Sequence, residues 1–123
     1  MSAITLAQQA YSQTQATIRT DRATEAQLFG RITQQLRAVQ STKRGEYPKL
    51  VSALYENRRM WATIAAEVAD AANALAPELR AQIFYLAEFT ERHSQMIMRG
   101  EADVDALIDV NTAVMRGLNS RTA

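Results

Sequence analysis

From Tyr47 onward, apolar residues return at every seventh position: Tyr47, Leu54, Trp61, Val68 and Leu75. Leu50 or Val51, Ile64 or Ala65, and Ala71 or Ala72 fall between them. This spacing is the seam of a helix packed in a bundle. It predicts a helix over 48–76, about 40 Å long at about 1.5 Å per residue. The seam has one break, where Asn57 and Arg58 stand between Leu54 and Trp61. A second helix is predicted over 77–99, opened by Pro77 and closed by Gly100. Its stripe is Leu79, Ile83, Leu86, Thr90, His93 and Ile97, and it turns polar at Thr90 and His93. A third, over 103–118, takes Asp103 as its cap and carries Val104, Leu107 or Ile108, Asn111, Val114 or Met115, and Leu118. Its break is Asn111.

The amino-terminal part is less regular. Leu28, Phe29, Ile32, Leu36 and Val39 predict a helix over 22–40, with Thr20, Asp21 and Glu25 as its cap region. Gly30, in the helix interior, suggests a close approach by a neighbouring helix. Residues 3–18 carry no charge, and Ile4, Ala7, Tyr11, Thr14 and Ile18 line one face of a helix over 3–19. That stripe is thin, so residues 1–20 are expected to dock loosely or to order on a partner. Gly45 and Pro48 mark a turn between the helices on either side, and 119–123 read as a frayed tail. No stretch alternates at period two for long enough to make a strand. The expected fold is all-α: a single domain over 1–123, an elongated antiparallel bundle of about five helices.

The polar breaks can be placed relative to one another. In antiparallel helices joined by short turns, residues equidistant from the turn lie side by side. Reflection through the turn near Ala76 sets Trp61 beside Arg92. Reflection through Glu101 sets His93 beside Asp109 and Asn111 beside Glu91. Asn57 or Arg58, Trp61, His93, Asp109 and Asn111 then share one level, and Asp109 or Asn111 is expected to pair with Arg58, Arg92 or His93. Such a layer has two readings, a network that fixes register or one that also lines a partner site.

Composition narrows the chemistry. With 123 residues the chain is one ordinary domain, long enough to bury about two thirds of the surface its unfolded form exposes. Cysteine is absent and there is one histidine, which excludes disulfides, thiolate chemistry and the paired Glu-x-x-His motifs of di-iron bundles. Neither a Gly-rich phosphate loop nor a Ser-His-Asp pattern is present, so no enzymatic activity, cofactor or metal is expected. The net charge of +1 hides an asymmetry. Up to Ala62 there are nine Arg or Lys against four Asp or Glu, and from Thr63 onward five against nine. Complementation within the fold accounts for that most simply. Lys43, Arg44 and Lys49 cluster on the turn without interleaved aromatics, a weak footprint for nucleic acid. No segment reaches the length of a membrane span and no signal peptide is evident, so a cytoplasmic location is expected.

One string of motifs is more specific than any of these features. Asn57-Arg58-Arg59-Met60-Trp61, Asn73-x-Leu75, Leu79-Arg80-Ala81-Gln82-Ile83, Leu86-Ala87, Arg92-His93-Ser94, Met98-Arg99-Gly100, Leu107-Ile108-Asp109-Val110-Asn111 and Val114-Met115-Arg116-Gly117-Leu118 follow one another over residues 47 to 118. In order and spacing they resemble the FlaF family of flagellar biosynthesis regulators of alphaproteobacteria. Weaker similarity runs through Tyr11 and the Leu28 to Leu36 region. The chain departs from the family pattern where Ala76 precedes Pro77, where Thr112 replaces a frequent arginine, and where Phe84-Tyr85 is bulkier than the usual aliphatic pair. The resemblance implies a small cytoplasmic helical protein that acts as a flagellin-specific secretion chaperone and takes part in post-transcriptional control of flagellin. The implied partner is flagellin, together with a flagellin-regulatory protein or the export apparatus. Flagellin's terminal segments are amphipathic and disordered before assembly, which suits burial in a helical groove. On that expectation Trp61 would anchor the segment, with Arg58, Arg59 and Arg92 fixing its orientation. An RNA-binding regulator and a helical adaptor or dimer module remain alternatives.

Overall fold

The computed structural model describes residues 15–41 and 47–122, with side chains from 25 to 41 and 47 to 117. Among these residues helix is the only regular secondary structure. The helices are α1 (Gln15–Ala38), α2 (Tyr47–Ala69), α3 (Pro77–Met98) and α4 (Asp105–Thr122). Residues 3–14 of the helix expected over 3–19, the Lys43–Arg44 part of the basic turn and Ala123 lie outside the described residues. None of the described helices is long and apolar enough to cross a membrane.

Three expected boundaries are corrected, one of them at the carboxyl end, where α4 runs on to Thr122 through residues expected as a frayed tail. Helix α1 runs unbroken through Thr20 and Asp21, where a break between separate helices was expected. No Gly or Pro interrupts residues 15–29, and extending a formed helix adds one hydrogen bond for each residue fixed, so a cap signal alone does not stop it. Helix α2 ends at Ala69 and does not continue to 76. Asp70 and Asn73 divert the backbone: Asp70 Oδ1 accepts from the Ala72 amide at 2.9 Å and Asn73 Oδ1 from the Leu75 amide at 2.9 Å. These Asx contacts compete with the helical ladder. Asn73 Nδ2 also donates to the Glu67 carbonyl at 2.9 Å. The exposed end of α2 is then closed from α3, since Arg80 donates through Nε to Val68 O and through Nη2 to Asp70 O, both at 2.9 Å. A cation at a helix C-terminus also complements the macrodipole.

The carboxyl end of α3 follows its expected course. Gly100 has φ of +77°, the Gly100 amide bonds Ile97 O at 3.0 Å, and the Glu101 amide bonds Met96 O at 2.9 Å. This is a Schellman close, in which glycine adopts the left-handed conformation without a Cβ penalty. Asp103 Oδ1 then accepts from the Asp105 amide at 3.0 Å, at the start of α4.

In the bundle α2 packs against α3 and α1, while α4 lies chiefly on α1 and meets α3 over a short stretch. Helices α2 and α4 are therefore diagonal. Two apolar clusters stack along the axis. One holds Phe29, Ile32, Met60, Trp61, Ile64, Val68, Leu75, Ile83, Ala87 and Val114. The other holds Leu36, Val39, Ala53, Leu54, Ile97, Val104, Leu107 and Ile108. Gly30 does not mark the expected close approach, because a Cβ built there would meet only Met115 Sδ, at 4.0 Å.

Candidate functional site

On every helix the residues between the two clusters are polar and buried: Thr33 on α1, Asn57 on α2, Thr90 and Ser94 on α3, and Asn111 on α4. A polar layer divides the core. Two of its members close on their own backbone, Thr33 Oγ1 donating to Phe29 O at 2.6 Å and Ser94 Oγ to Thr90 O at 2.7 Å. The asparagines reach across the diagonal. Trp61 Nε1 donates to Asn111 Oδ1 at 2.9 Å, and Asn111 Nδ2 donates to Asn57 Oδ1 at 2.8 Å. The indole N–H can only donate, so it fixes the orientation of both amides in turn. Among the described residues Asn57 Nδ2 and Thr90 Oγ1 are left buried without a partner.

The layer differs from its expected membership. Asn57, Trp61 and Asn111 come together, but His93 and Asp109 do not join them. Asp109 and Arg92 are exposed on the outside of the bundle. His93 Nε2 lies 2.9 Å from the Asp103 carbonyl; because a carbonyl only accepts, that nitrogen carries the proton. The ring stacks on Phe89 at 5.3 Å, so His93 ties α3 to the segment entering α4. Arg58 pairs with Glu91 instead of Asp109, donating through Nε at 3.0 Å and Nη2 at 2.6 Å. This two-point contact lowers the Glu91 carboxyl below the usual range, against the opposing effect of partial burial, with Gln95 as a further donor. It also raises the Arg58 guanidinium. The expected reflections misplace these partners for two reasons. The α2–α3 turn is centred nearer Asn73 than Ala76, and α4 pairs with α1 more than with α3.

Trp61 is only 2% exposed and its sole polar atom is used inside the bundle. The aromatic anchor expected there is thus closed to a partner while the bundle holds. The open face is next door. Between α1 and α2 runs a groove of about 330 Å³, floored by the buried Phe29, Ile32, Met60 and Ile64, with Leu28 as its exposed apolar side chain and Glu25, Arg31, Glu56, Arg59, Thr63 and Glu67 around it. Arg59 is the one expected site residue on its rim. Phe29 connects groove and layer: its ring meets Trp61 edge-on, with centroids 5.9 Å apart and planes at 84°. Sequence reasoning assigned Leu28, Phe29 and Ile32 to core and Met60 to the motif string. The signal that separates them is the 37% exposure of Leu28, which periodicity cannot report.

Fold and groove first define a class, an all-α bundle with a buried polar layer and, among the described residues, a trough open along one edge. The family is then specific. The model described as Flagellar protein FlaF matches residues 7–118, and the chain belongs to this family of flagellar proteins. No curated protein and no solved structure matches the chain.

Proposed function

We propose that this chain is a cytoplasmic, non-enzymatic export chaperone for flagellin, and that it holds an amphipathic terminal segment of flagellin in the α1–α2 groove. The observation that carries this reading is the groove itself, where Leu28, Phe29, Ile32, Met60 and Ile64 line one continuous trough. A disordered segment with anchors at helical spacing covers such a surface as it folds. Burying the apolar stripe of flagellin removes the surface that drives its premature polymerisation. Family membership supports a flagellar role, and the chemistry of the groove supports a helical client. Regulation of flagellin synthesis follows from the same contact, because occupancy of the groove reports how much flagellin awaits export.

The test is co-purification with full-length flagellin and with flagellin lacking each terminal segment in turn. A complex with the full-length protein that is lost on removing one segment is the expected result. No complex, or unchanged binding after both segments are removed, contradicts the reading.

A further inference from the structure

The two ends of the α1–α2 groove differ in charge. Glu25 and Glu67 lie at the end remote from the α1–α2 connection, and each already has a polar partner. At the connection end stand Arg31 from α1 and Arg59 from α2, both exposed. Neither guanidinium takes part in an ion pair among the described residues, although Glu56 lines the same end of the groove. Arg58, the sequence neighbour of Arg59, is committed to Glu91 on the opposite side of α2. Two arginines flanking the end of an apolar trough match a carboxylate, since the guanidinium fork binds one through paired hydrogen bonds.

We infer that the groove reads the direction of its client: it takes an amphipathic helix whose apolar stripe is followed by an Asp or Glu side chain, held between Arg31 and Arg59. This rests on the flagellin reading above and adds the orientation. The client helix runs parallel to α1 and antiparallel to α2, so its own C-terminal carbonyls also approach the two cations. The stretch from Glu25 to Ile32 accommodates about two turns at about 1.5 Å per residue. The acidic residue therefore lies about one turn beyond anchors at i, i+3 or i+4, and i+7. Rim charges of this kind govern orientation and on-rate more than total affinity.

The experiment titrates full-length flagellin from the same bacterium into the wild-type chain, Arg31→Glu/Arg59→Glu and Leu28→Asp, with far-UV circular dichroism to check folding. All three substituted side chains are exposed, so the helices are expected to persist. The double charge reversal is expected to weaken binding about tenfold and to flatten its salt dependence. Replacing the acidic residue beyond the flagellin stripe with lysine is expected to restore binding to the reversed chain. Flagellin binding the reversed chain within twofold of wild type, while Leu28→Asp abolishes binding, overturns the orientation and leaves the groove reading standing. Binding unaffected by any of the three substitutions, or absent from the wild-type chain, overturns both. A loss on charge reversal that is reproduced with single-stranded RNA as the probe, and that the lysine swap does not rescue, overturns the carboxylate client in favour of a polyanion.

Discussion

At the scale of single residues, the chain from Trp61 through Asn111 to Asn57 ties three buried side chains together. Asn111 serves two partners at 2.9 and 2.8 Å. Asn111→Ala leaves the Trp61 indole N–H and the Asn57 carbonyl buried and unpaired, and each such group costs about 1–3 kcal/mol. The expected destabilisation is ~3 kcal/mol by urea denaturation. Asn57→Ala removes one acceptor together with the orphaned Nδ2, so it is expected to cost less. The double substitution should fall short of the sum of the two, because the singles break a shared bond; strict additivity in a double-mutant cycle would contradict the coupling. The Arg58–Glu91 pair makes a different, pH-dependent contribution. Glu91 has its carboxyl lowered by Arg58, so its stabilisation is present above the ordinary carboxylate range and is lost as pH falls through the lowered value. Both side chains are partly exposed, at 35% and 45%, which screens the interaction to less than about 1 kcal/mol. Glu91→Gln is expected to cost no more than that at neutral pH and to remove this component of the acid dependence, as read from urea midpoints across pH 3–7.

At the scale of elements, α2, α3 and α4 were legible because a heptad seam repeats with few interruptions. The interruptions themselves were informative. Asn57 and Asn111 are large amides in apolar stripes, and both lie in the layer. Thr33 and Ser94 left no such mark, since a small hydroxyl that bonds its own i−4 carbonyl fits an apolar stripe unannounced. His93 and Asp109 were misplaced because reflection assumes sequential neighbours pack together, and α4 instead lies mainly on α1. The end of α2 was misjudged because the Asx contacts of Asp70 and Asn73 are invisible to periodicity. Two predictions belong here. Arg80→Met removes the bonds to Val68 O and Asp70 O, and is expected to cost about 1.5–3 kcal/mol and to raise amide exchange through the last turn of α2. Gly30→Ala places a methyl group no nearer than 4.0 Å to Met115 Sδ and is expected to stabilise α1 by about 0.5–1 kcal/mol. A lowered melting temperature for this variant would show that the helices approach more closely there.

At the scale of the whole molecule, the bundle separates two tasks. The diagonal amide chain sets how α2 and α4 lie across the core, while the trough between α1 and α2 is open among the described residues. Phe29 joins the two by bordering the groove on one side and meeting Trp61 on the other. On the proposed function, Trp61, the single tryptophan, is expected to report groove occupancy without touching the client. The alternative surface is the outer face of α3, where Phe84 and Tyr85 are exposed beside Pro77 and Arg80. Hydrogen–deuterium exchange on the complex with full-length flagellin distinguishes the two faces directly. Docking in the groove predicts new protection in residues 25–32 and 56–67 with residues 81–88 unchanged. Protection confined to 81–88, or absent from both groove-forming segments, would contradict the account.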